Sequence, residues 1–237
     1  MHDSAVTTLI ILRVIHYVAG IIWVGFLYHF VLVHQPFVRQ ADASVKPAII
    51  TQQLPRGLWW FRWASVVTVL SGMWYWMKIV GSDKRGALEM GTANVDAGHA
   101  IWTFFAIWTI AFIIYMGAMM SPAVKNTVVI YVVAAIVIFG AAELYVRLNQ
   151  HGWESNRLLA IGVGGGMGWF MLFNVWGLLW RAQKKMIRWT AAGQTSTPEF
   201  AKNARWAYLA SRVNFVLSFP MLFFMAAASH YQLFTQI

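Results

Sequence analysis

Six stretches of this chain are long, apolar and nearly free of charge: residues 6–33, 57–80, 99–120, 127–147, 157–181 and 206–231. No other feature limits the fold as strongly. A soluble core built from 237 residues could not cover six such runs, whereas a helix of about 20 apolar residues crosses the hydrocarbon of a bilayer. Strands are excluded, because the runs are too long and lack strict alternation of polar and apolar residues. The expected fold is all-α: an integral membrane bundle of six transmembrane helices forming a single domain over residues 1–237. Between the spans, residues 35–54 leave room for a short interfacial helix, residues 91–98 read as a polar turn and residues 190–198 as a connector. The first run lacks the basic flank, short apolar region and small-residue cleavage site of a signal peptide.

Charge sorts by side. Twelve of the 18 basic residues, among them Arg39, Arg56, Arg62, Lys125, Arg181, Lys184, Lys185, Arg188 and Arg212, fall on the face opposite the chain start, against only Asp42 and Glu199. On the starting face six basic residues meet six acidic ones, from Asp3 to Glu154. The excess of Lys and Arg marks the cytoplasmic side, so both termini are expected on the periplasmic side. The net charge of +10 then reads as a topology signal, with membrane lipid rather than nucleic acid as the expected partner. The chain has no cysteine, which excludes disulfides, iron–sulfur clusters, thiolate zinc and a covalently attached c-type haem.

Five of the seven histidines lie on the starting face: His2, His16, His99, His151 and His230. His16, His99 and His230 belong to three different spans and fall within a few turns of the outer end. Ionisable groups at membrane depth are costly and usually face the bundle interior. Imidazoles from separate helices at one level suit a b-type haem, whose iron takes two axial nitrogens. Gly20, Trp23, Gly25 and Trp102 are candidate lining for the macrocycle. The competing reading has the histidines bonding across helices or facing interfacial water.

Near the other face, His29, His34, Arg62, Asn174, Arg212 and Asn214 converge by depth. Arg62, Asn174, Arg212 and Asn214 form a candidate set for a polar or anionic group: a substrate, a haem propionate or a quinone carbonyl. His16 and His34 are five helical turns apart and share a face of a regular helix. A second bis-histidine haem is not expected, because no other span brings a histidine to the inner level. Met116, Met119, Met120, Met221 and Met225 read as packing residues, and copper is disfavoured. The run Gly162, Gly164, Gly165, Gly166 and Gly168 lacks the strand and lysine of a phosphate loop, and reads as small residues that let helices approach closely.

Several strings are specific. Arg13-x-x-His16-Tyr17-x-Ala19-Gly20-x-x-Trp23-x-Gly25-x-Leu27-Tyr28, then Pro55-Arg56-x-Leu58-Trp59-Trp60-Phe61-Arg62-Trp63, resemble the opening of the membrane domain of bacterial membrane-bound urate hydroxylases. Asn174-Val175-Trp176 followed by Gln183-Lys184-Lys185, and Arg212-Val213-Asn214-x-x-Leu217-Ser218-x-Pro220-Met221 through Ser229-His230, are similar to its last two segments. That family oxidises urate to 5-hydroxyisourate and usually carries a carboxy-terminal cytochrome c domain. The resemblance implies that His16, Arg62, Asn174, Arg212, Asn214 and His230 occupy family positions in a bacterial inner membrane. The sequence departs from it in ending at Ile237 with no C-x-x-C-H, in Arg181 where proline is usual, and in Gly162 where some members have histidine.

Taken together, the expected function is that of a redox-active membrane subunit. A b-type haem held by two of His16, His99 and His230 would relay electrons between urate (or a related purine) or a quinone and a periplasmic cytochrome c. The alternative is a non-catalytic anchor or assembly subunit among other membrane subunits of a larger respiratory or oxygenase complex.

Overall fold

The computed structural model describes residues 4–121 and 126–234; His2, Asp3 and Lys125, assigned to sides above, lie outside the described residues. Every regular element among the described residues is helical. Helix α1 (Ser4–Tyr28) runs on through a π-helical stretch, π1 (His29–His34), into α2 (Gln35–Gln40). A short strap, α3 (Lys46–Ala48) with π2 (Ile49–Gln53), leads into α4 (Leu54–Glu89). Then follow α5 (Ala97–Met120), α6 (Thr127–Asn149), α7 (Asn156–Phe173), π3 (Asn174–Leu179), α8 (Trp180–Ala191) and α9 (Pro198–Ala227). Five continuous rods are long and apolar enough to cross a membrane: Val6–Gln40, Ala97–Met120, Thr127–Asn149, Asn156–Ala191 and Pro198–Ala227. Helix α4 is 36 residues long, but its tryptophans, serines and glycines leave it less apolar than the other five.

Local chemistry sets the helix ends. The side chains of Asp96, Asn126, Ser155 and Thr197 accept the free N–H groups that open α5, α6, α7 and α9, each such cap contributing about 0.5–2 kcal/mol. Helices α4 and α8 stop where Gly91 (φ +77°) and Gly193 (φ +71°) turn left-handed. There Thr92 N–H reaches back to Ala87 O and Gln194 N–H to Trp189 O, a closure that glycine accommodates without Cβ strain.

The rods reach further than charge alone suggested. The first continues to Gln40 rather than ending at Val33, and α4 carries Lys78, Asp83, Lys84 and Arg85 on to Glu89. The last ends at Ala227, leaving His230 in a turn beyond it.

Helix α7 is the centre, packed against α4, α5, α6 and α9. Its glycines make that approach feasible: a Cβ at Gly166 would collide with the Trp108 indole, and one at Gly162 with the Tyr145 ring. Gly162, Gly164 and Gly166 of the glycine-rich run thus form a close-approach surface, as its apolar context implied, whereas Gly165 and Gly168 do not. Side chains such as Val14, Val18 and Ile21 on α1, Ile113 and Ile114 on α5, and Ile136 and Phe139 on α6 remain exposed.

Candidate functional site

Helix α1 lies antiparallel on α4. Successive contacts pair Arg13 with Tyr75, His16 with Gly72 and Thr68, and Phe30 with Gly57. Near the amino-terminal end, these two helices, α7 and α9 enclose a cavity of about 450 Å³ whose lining is mostly apolar, a volume ordinary for a small-molecule or cofactor site.

Among the described residues His16 is the only histidine lining it. Its Nδ1 lies 2.8 Å from the carbonyl oxygen of Thr68. A carbonyl can only accept, so Nδ1 carries the hydrogen and Nε2 presents its lone pair. No partner for Nε2 occurs among the described residues. An imidazole whose second nitrogen is anchored on a backbone carbonyl is the usual support for a metal-ligating histidine. The ring sits directly over Gly72, where a Cβ would come within 2.7 Å of Cε1.

The rest of the lining is equally specific. Gly20, Gly25, Gly165 and Gly168 contribute bare backbone, and a Cβ at Gly25 or Gly168 would meet nothing within 4 Å. Met221 and Met225 bring thioethers from α9. Two arginines, Arg13 and Arg157, flank the Tyr75 ring at 5.9 and 5.3 Å, and Arg157 also donates to the Tyr75 hydroxyl. Among the described residues no carboxylate lines the cavity to balance them. Arg157 Nε and Trp23 Nε1, both on lining residues, are buried with no hydrogen-bond partner.

Of the three histidines expected at one level, the cavity takes in one. His99 uses Nε2 to donate to Leu148 O at 2.8 Å and packs edge-on against His151, with ring centroids 5.6 Å apart. It therefore ties α5 to α6. His230 is exposed, although its neighbour Ser229 lines the cavity. Gly20, Trp23 and Gly25 line it as expected, but Trp102 is 75% exposed and lies outside. Among the described residues no three of His, Asp and Glu are grouped to hold a metal ion.

The inner set separates into three places. Asn174 and Asn214 meet: Asn174 Nδ2 donates to Asn214 Oδ1 (2.8 Å) and Ala210 O (3.0 Å), and Asn214 Nδ2 donates to Met171 O (3.1 Å). Both are fully buried, and they lock the start of π3 to α9. Arg62 stacks on Trp180, its guanidinium carbon 3.5 Å from the ring centroid. Arg212 faces Tyr208 at 5.3 Å. None of the four lines the cavity around His16.

Arg13, Thr68, Gly72, Tyr75 and Arg157 were not singled out as site residues from sequence. The Arg13-x-x-His16 spacing was the available signal, since residues three apart lie on one helix face. Arg157 gave none, being one more charge at a helix start.

Fold and cavity together define an all-helical protein with membrane-length helices arranged around a pocket that offers one free imidazole nitrogen and two arginines. The chain belongs to the Urate oxidase N-terminal family, which it matches over residues 42–236. The match begins after the first rod, so His16 and the Arg13–Tyr28 motif lie outside it. Comparison with curated proteins and with solved structures gives no significant match.

Proposed function

We propose that this protein is a urate-related, redox-active subunit of the bacterial inner membrane that carries a b-type haem in the cavity around His16. The observation that carries this reading is the anchored His16 imidazole with Nε2 open to the cavity. His16 would hold the haem iron, and Met221 and Met225 are lining residues whose thioethers could contribute a further ligand. Arg13 and Arg157, facing no carboxylate among the described lining residues, suit the propionates. The bare glycine backbone leaves room for a flat macrocycle, and the orphaned Trp23 and Arg157 nitrogens gain acceptors.

Bound haem supplies one-electron transfer. The chain's own part is to fix the His16 tautomer through Thr68, to neutralise the acidic edge with Arg13 and Arg157, and to exclude water with its apolar walls. In this reading the oxidised substrate is urate or a related purine, or a quinol, and a periplasmic cytochrome c takes the electrons.

The arrangement in the bilayer is part of the same proposal. Six spans, with α4 as the sixth alongside α1, put both termini on the periplasmic side, and the exposed apolar faces of α1, α5 and α6 meet lipid.

One optical spectrum tests it. The purified protein should show a Soret band and reduced-minus-oxidised b-type peaks, and His16→Ala should remove them while the protein remains monodisperse. A colourless preparation from haem-replete cells overturns the relay and favours an anchoring role. Acceptor reduction by membranes supplied with urate tests the substrate.

A further inference from the structure

The other end of α1 holds a second pocket that the His16 site does not use. We propose that it binds the headgroup of a membrane quinone, an inference that rests on the electron-relay reading above.

The backbone creates the site. His29 and His34 are five residues apart, which in a regular α-helix sets their side chains well away from one another. The intervening stretch is π-helical, and the wider turn brings the two rings to 6.4 Å between centroids. His16 and His34 line different pockets towards opposite ends of the rod, with the π-helical stretch altering the register before His34. Such π-helical stretches are frequent at functional sites.

The pocket, about 530 Å³, lies between π1 and the strap that carries π2. His29, His34, Gln52, Gln53 and Arg56 supply its polar lining, and Phe30 and Trp60 its flat walls. His34 is only 9% exposed, and its ring is held by an edge contact with Phe30 at 5.8 Å. Among the described residues neither imidazole, nor the side chains of Gln52 and Arg56, has a hydrogen-bond partner. Four side chains with unused donors therefore face one volume.

Their chemistry selects the ligand. Among the described residues no carboxylate lines the pocket, which disfavours a cation. One arginine is a thin complement for a phosphate headgroup, which gathers several basic residues. Aromatic walls with N–H donors between them match a neutral planar ring bearing carbonyl oxygens. The depth agrees: at 1.5 Å per residue, His29 lies roughly 40 Å along the rod from its start, near the far headgroup level. Exposed Leu32, Val33 and Trp59 nearby suit a lateral approach from lipid.

The test is photolabelling of the purified full chain with an azido-ubiquinone analogue, followed by peptide mapping. Label should fall within residues 26–60 and be displaced by decyl-ubiquinone. His34→Phe and Gln52→Leu should each weaken displacement by up to about tenfold, the effect of losing one hydrogen bond. Label elsewhere, or indifference to both substitutions, overturns the site. Displacement by urate or inorganic phosphate in place of decyl-ubiquinone overturns it in favour of an anion. Should His34→Phe fail to fold, Gln52→Leu at the exposed rim decides alone. The same sample's spectrum separates the two proposals: a Soret band without local labelling removes only the quinone site, and labelling without a Soret band removes only the haem.

Discussion

His16 Nδ1 and the carbonyl oxygen of Thr68 lie 2.8 Å apart across the α1–α4 interface. Thr68 in turn gives its hydroxyl to Ala64 O at 2.7 Å, and its carbonyl accepts from both the imidazole and, at 3.1 Å, the Ser71 hydroxyl. The ring can lie there because residue 72, one turn further on, has no side chain.

Gly72→Ala therefore tests how tightly the imidazole is held. The new Cβ would sit 2.7 Å from Cε1 and 2.8 Å from Nδ1 of His16, so the ring must move off Thr68. Overpacking of this kind costs about 1–3 kcal/mol. The expected outcome is a lower unfolding temperature in detergent and, with haem bound, a weakened or shifted Soret band. A wild-type spectrum and stability would show that the ring is not fixed at this spot.

The buried amide pair gives a sharper energetic test. Asn174→Leu strips the side-chain donor from Asn214 Oδ1 and Ala210 O inside a dry interface, and should destabilise by about 1–3 kcal/mol, as should Asn214→Leu. Asn174→Leu combined with Asn214→Leu removes both polar groups together. It should cost less than the sum of the two single changes, because no buried amide is stranded. Chemical unfolding of the four proteins measures the difference, and strict additivity would show that the amides do not act as a pair.

How much of this was legible beforehand follows from where each residue's information lies. The helices were readable because apolar length is a local property, and the close approach at Gly162 and Gly166 because small residues on an apolar helix have one common use. The inward contact of His16 was readable for the same reason: an imidazole on an apolar helix must find a partner. Which histidines share a volume was not readable. Rotation about the helix axis decides it, and only contacts such as His99 with Leu148 O and His151 reveal that. Depth alone likewise placed Arg62 with Asn174 and Arg212, although Arg62 stacks on Trp180 while the two asparagines close on each other. The π-helical stretch at His29–His34 leaves no sequence period to detect, so its pairing of two imidazoles was hidden too.

The glycines of α7 make opposite predictions two residues apart. Gly166→Ala drives a methyl group into the fully buried Trp108, whereas the Cβ of Gly168→Ala meets nothing within 4 Å. The first should cost at least about 1–3 kcal/mol and sharply reduce the amount of folded protein recovered from membranes. The second should fold normally, and any effect it has should appear in the cavity's ligand. Equal recovery of the two variants would contradict the close approach of α5 and α7.

Orientation can be read with a single probe, because the chain has no native cysteine to remove. Ala93, in the turn after α4, and Gln194, in the turn after α8, are both exposed, and each follows a glycine-terminated helix. The basic residues of α8, Arg181, Lys184, Lys185 and Arg188, lead directly to Gln194, whereas Ala93 lies between Glu89 and Asp96. Translocating the α8 cluster across an energised membrane is unfavourable, so the Gln194 turn should stay cytoplasmic and the Ala93 turn should face out. In spheroplasts, a membrane-impermeant maleimide should label Ala93→Cys at once, but Gln194→Cys only after permeabilisation. The reverse pattern would invert the bundle, placing the His16 cavity near the cytoplasm and beyond reach of a periplasmic cytochrome. Labelling of both turns in sealed spheroplasts would mean that an even number of rods crosses between them, so that one of the three rods Ala97–Met120, Thr127–Asn149 and Asn156–Ala191 is not a span.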